Sequence, residues 1–60
     1  MSRRPTPDDL AAIAWLEDHH ERDLTPWEMT FLESVAERTV WTDKQATVFD
    51  AIWERVVVRP

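Results

Sequence analysis

The chain has 60 residues and contains neither cysteine nor glycine. Without cysteine there can be no disulfide and no thiolate metal site, and a reducing, cytoplasmic setting is expected. Without glycine, the tight hairpin turns that need positive φ are hard to build, which argues against an all-β domain. Helices in such a chain lack the usual left-handed glycine stop. They are expected to end on Asp, His or Arg, or to run into longer connections. No apolar run approaches the roughly 18 residues of a membrane span. The opening Met1-Ser2-Arg3-Arg4-Pro5 has two arginines but no apolar stretch behind them, so it does not read as a secretory signal.

What is present is a repeated helix-start signal. Thr6-Pro7-Asp8-Asp9, Thr25-Pro26-Trp27-Glu28 and Thr42-Asp43-Lys44-Gln45 each place a threonine three positions ahead of a side-chain acceptor. The hydroxyl can accept from an orphan backbone N–H, and the later side chain can reach back to the threonine N–H. In two of them a proline occupies the first helical position, where a missing N–H costs nothing. These caps predict an all-α fold, a three-helix bundle with helices over about 7–20, 26–38 and 43–56 and no β-sheet. Residues 1–60 read as one domain with loose ends at 1–5 and 58–60. The apolar fraction is 43%, too high for a disordered chain, and four Trp and two Phe can supply much of so small a core.

Helical periodicity then assigns faces. In the third helix Val48, Phe49, Ile52, Trp53 and Val56 point inward, while Lys44, Thr47, Asp50, Ala51, Glu54 and Arg55 point out. Val56-Val57-Val58 is β-branched, so fraying is expected there. In the second helix Trp27, Met29, Phe31, Leu32, Val35 and Ala36 form the apolar face. Leu24 and Trp41 stand just before caps and are placed to staple onto Met29 and Ala46. The first helix is different. Leu10, Ile13, Leu16 and His20 share one face, yet Ala11, Ala14, Trp15 and Asp18 form a second stripe.

The net charge is −5, and residues 8–23 hold six acids against the single cation Arg22. Asp8 and Asp9 suit the positive end of a helix dipole. The run Glu17-Asp18-His19-His20-Glu21-Arg22-Asp23 is by default a solvated face. His19 and Asp23 stand at i, i+4, but no second cluster adds ligands, so no metal and no cofactor is expected. No nucleophile–base–orienter set is present, so the chain does not read as an enzyme, and no small-molecule or membrane partner is expected. The outward face of the third helix carries two acids against two bases, a poor surface for phosphates, so direct nucleic-acid binding is not expected. Ala11, Ala14 and Trp15 with Asp18, Glu21 and Arg22 are therefore the candidate partner-binding residues, for another protein or for a homodimer.

The stretch Leu24-Thr25-Pro26-Trp27-Glu28-Met29-Thr30-Phe31-Leu32-Glu33-Ser34-Val35 is followed by Thr42-Asp43-Lys44-Gln45-Ala46 and Ile52-Trp53-Glu54-Arg55-Val56. Together they resemble a pattern of short phage and prophage helical proteins of unassigned function. Residues 1–23 fall outside the match, and no functional residue carries over. The resemblance implies a small accessory product. An acidic one would suit an inhibitor or accessory of a nucleic-acid-processing complex. The expected function is thus a non-enzymatic acidic interaction module. The alternative is a helix-turn-helix-like DNA-associated domain using Lys44, Thr47, Arg55 and the basic ends.

Overall fold

A computed structural model describes residues 2–59. It is an all-α three-helix bundle: α1 spans Pro7–His19, α2 spans Pro26–Ala36 and α3 spans Asp43–Trp53. All three helices start where the caps place them. Thr6, Thr25 and Thr42 each accept from the N–H three residues on, at 3.1 Å in every case. Asp9, Glu28 and Gln45 return the bond to the threonine N–H at 2.8–2.9 Å. Each box satisfies two donors that the first helical turn would otherwise leave open.

The helix ends reflect the lack of glycine. No described residue has positive φ. The first helix closes on His20 (φ −127°, ψ 25°), whose N–H still reaches the Leu16 carbonyl at 2.9 Å. A short 3-10 turn over Glu21–Asp23 then leads to Leu24. The second helix stops at Ala36 with Glu37 as its cap, shorter than periodicity suggests. Beyond α3 the chain does not fray but widens into a π-turn over Glu54–Val58, closed by Arg59 N–H on the Glu54 carbonyl at 2.7 Å. Val56 is buried there, so packing of that valine outweighs the weak helix propensity of the β-branched run.

The core consists of Ile13 and Leu16 from α1, Leu24, Leu32 and Val35 around α2, then Trp41, Phe49, Ile52 and Val56. Met29, Phe31, Ala46, Val48, Trp53 and Val57 pack partly buried against it. Trp41 is the largest fully buried side chain, lying in the connection between α2 and α3 and tilted against the Phe49 ring at 5.2 Å. Three expectations are corrected. Trp27 and Ala36 lie exposed rather than on the buried face of α2, and Leu10 is exposed on α1. Helices of thirteen and eleven residues in so small a bundle are each covered along a narrow stripe, and these residues fall outside it.

The amino-terminal segment is tied down. Arg3 and Trp41 exchange two backbone hydrogen bonds of 2.9 and 2.7 Å, forming an isolated antiparallel bridge. There is no β-strand among the described residues. The Arg3 guanidinium lies over the Trp41 ring at 5.5 Å, and its Nη2 stands 3.8 Å from Asp50 and 4.0 Å from Asp9. The expected loose end at 1–5 is therefore anchored at Arg3. Met1 and Pro60, the outermost of the expected loose residues, lie outside the described ones.

Candidate protein-interaction surface

The two-sided character of α1 has a structural cause. Trp15 is 38% exposed, and its buried part meets Trp53 of α3 with ring centres 5.8 Å apart. The same indole stacks on His19 at 5.2 Å and 23°, and touches His20 at 4.8 Å. Four rings from α1 and α3 thus form a half-exposed aromatic cluster beside the core. Spacing alone puts His19 one turn beyond Trp15. Trp53 could be found only from the packing of α1 against α3.

Both histidines are oriented by hydrogen bonds. His19 Nδ1 lies 3.2 Å from the Trp15 carbonyl, which can only accept, so Nδ1 carries the proton. His20 Nδ1 lies 3.1 Å from Asp23 Oδ2, again as donor to an acceptor. The 3-10 turn brings Asp23 to His20 rather than to the i, i+4 partner His19. Among the described residues no group of three or more His, Cys, Asp or Glu side chains is gathered for a metal ion.

The structure divides the six candidate residues. Ala11, Ala14, Trp15 and Asp18 follow one another along the exposed side of α1. Glu21 and Arg22 are exposed too, but belong to the 3-10 turn after the chain has left the helix axis. They extend the acidic patch around the end of α1 without continuing its stripe. Arg22 forms no ion pair within the described residues, and Asp18 is 80% exposed, 3.6 Å from His19 Nδ1. On the neighbouring flank burial raises the pKa of Glu17, and the negative charge of Glu33 on α2 raises it further. Glu17 of α1 and Glu33 of α2 are therefore close enough to repel each other.

The carboxyl end of α3 is a different surface. Arg55 points outward, as periodicity predicts, but its guanidinium is held by the Glu28 carboxylate and reaches the Asp23 carbonyl at 3.3 Å. Burial alone would raise the pKa of Glu28. The Thr25 N–H and the Arg55 guanidinium outweigh it, and the pKa is lowered. The cleft of about 280 Å³ beside it is lined by His20, Asp23, Arg55, Val56 and Arg59. Its two arginines are already paired, Arg55 with Glu28 and Arg59 with Glu54 at 3.2 Å. On α3 this leaves Lys44 as an exposed cation without an ion pair among the described residues. Among the described residues no helix is long and apolar enough to cross a membrane. No family model, curated protein or solved structure matches this chain.

Proposed function

We propose that this chain is a non-enzymatic acidic protein-interaction module of phage or prophage origin, and that it docks through the exposed end of α1. The observation that carries the reading is Trp15. A large aromatic, partly out of the core, is held by Trp53, His19 and His20 and bordered by Asp18, with Glu21 beyond. A rigid aromatic anchor with a charged rim is the arrangement that binding hot spots favour. Its acids suit a basic surface, such as the groove of a nucleic-acid-processing complex, where like-signed rivals are repelled and encounter is accelerated. The phage origin rests on the sequence pattern over 24–56 alone.

The test uses the intact chain as bait in the lysate of its host. Asp18→Arg with Glu21→Arg reverses the rim at two exposed positions and leaves the helix caps untouched. A partner held by the wild type and released by this variant, with an unchanged helical spectrum, supports the reading. A partner held equally by both, or released only when Trp27 is changed, rejects this face.

A further inference from the structure

Arg3 occupies a place that three other elements build. Its guanidinium lies over the buried Trp41 ring at 5.5 Å, within 4.0 Å of Asp9 on α1 and 3.8 Å of Asp50 on α3. Asp9 divides its oxygens: Oδ2 accepts from the Thr6 N–H at 2.8 Å in the capping box, and Oδ1 is left toward Arg3. The packing of the bundle, rather than the amino-terminal segment, therefore sets the shape of the site. An aromatic face with two carboxylates beside it is a setting for a guanidinium. Yet the hold on Arg3 is loose. Neither carboxylate is within hydrogen-bond distance, and the Arg3 side chain is 46% exposed. The bridge to Trp41 uses main-chain atoms alone. The Arg3 side chain can thus swing into solvent while the bridge, the capping box and the core stay as they are.

We propose that Trp41, Asp9 and Asp50 form a receiving site for an arginine side chain of a basic partner protein, and that Arg3 is its internal occupant, a gate that the partner's arginine displaces. Arg3 itself identifies the occupant: the group already seated there is a guanidinium, not an anion or an apolar side chain. The ring and the carboxylates favour arginine over lysine. A planar guanidinium stacks on an indole and offers donors to two acceptors at once, whereas an ammonium is a compact, strongly hydrated charge. The net charge of −5 draws a basic partner toward the chain. The site stands at the start of α1 and the proposed Trp15 surface toward its end, so neither depends on the other.

The experiment is a titration of the full chain with acetyl-arginine-amide at low salt, up to roughly 100 mM, the range that a single side-chain contact requires. The readout is the NMR shift of the Trp41 indole and backbone N–H groups, with acetyl-lysine-amide as the matched cation. A saturating shift centred on Trp41 is expected in the wild type. Arg3→Ala empties the site and is expected to tighten binding about two- to fivefold, the worth of one exposed cation–π contact. Asp50→Asn added to Arg3→Ala should weaken it again by about twofold. Positions 3 and 50 are exposed, so an unchanged helical spectrum verifies that the variants fold, and the wild-type arm stands without them. No shift at Trp41 in the wild type overturns the proposal. So does an equal response to the lysine probe, which would show only general attraction to an acidic chain. An affinity unchanged in Arg3→Ala would show that Arg3 gates nothing, and one unchanged by Asp50→Asn that the carboxylate takes no part; either rejects the site.

Discussion

The indole N–H of Trp41 donates to the Val35 carbonyl at 2.9 Å from a fully buried ring. Val35 lies in the last turn of α2, where carbonyls lose their intrahelical partners. The tryptophan therefore fills the core, caps the end of one helix and starts the approach to the next, Thr42 being its neighbour. A side chain with a large apolar body and one donor is suited to that position.

Replacing Trp41 should accordingly be the most damaging single change. Trp41→Ala is expected to cost about 3–5 kcal/mol, against a total of roughly 3–9 kcal/mol for sixty residues. Trp41→Phe should cost about 1–3 kcal/mol, since it loses the bond to Val35 and part of the packing. Trp53→Ala should fall below Trp41→Ala, because Trp53 is only partly buried. Urea midpoints by circular dichroism rank the three.

The helix starts were legible because each threonine box is a local rule, complete within four residues. All three form both of their bonds. The inner positions of α3 were legible for a similar reason, since Phe49, Ile52 and Val56 recur at helical spacing and are buried. Trp41 was not. It lies in a connection, where periodicity says nothing and the staple rule offers only Ala46, while its place is set by Phe49, Val35 and the sequence-distant Arg3. Trp27 misled for the opposite reason: hydropathy puts any tryptophan inside, while this short bundle has no element to cover it. Of the candidate surface, the exposed alanines and Trp15 could be read from the helical wheel. Its support by Trp53 could not, because that contact exists only once α1 and α3 are packed.

Arg3 offers a test of the amino-terminal anchor. Its side chain contributes a cation–π contact to Trp41 and weak attraction to Asp9 and Asp50, while its backbone makes the bridge. Arg3→Ala should cost only about 0.5–1 kcal/mol, because the backbone bonds remain. Arg3→Pro also removes the N–H donated to Trp41 and should cost more. Hydrogen exchange at the Trp41 N–H reads the bridge directly. It should stay protected in Arg3→Ala and exchange faster in Arg3→Pro.

Glu17 is ionised at neutral pH at some cost to the fold. Burial and then the charge of Glu33 raise its folded pKa above the ordinary 4.5. The destabilisation is present above the folded pKa and is relieved as pH falls toward the unfolded one. Glu17→Gln should therefore raise stability at pH 7 by about 0.3 kcal/mol, a size set by solvent screening. The advantage over wild type should vanish in acid. A Glu17→Gln protein that is less stable than wild type at neutral pH would refute the crowding of Glu17 and Glu33.

Glu28 titrates with the opposite sign. Burial works to raise its pKa, but the Thr25 N–H and Arg55 hold it below 4.5 in the folded protein. Its contribution is thus complete above the unfolded value and is lost as pH falls through the folded one. Glu28→Gln isolates the charge, because a glutamine can still accept the Thr25 N–H and complete the capping box. What it removes is the attraction to Arg55, which joins the carboxyl end of α3 to the start of α2. With Arg55 half exposed, the expected loss at pH 7 is about 1 kcal/mol. Arg55→Ala should lose a similar amount, and the double variant little more than either alone, since both remove one interaction. Urea melts at neutral pH and well below 4.5 check the sign: the gap between wild type and Glu28→Gln should close in acid, where wild-type Glu28 is itself protonated.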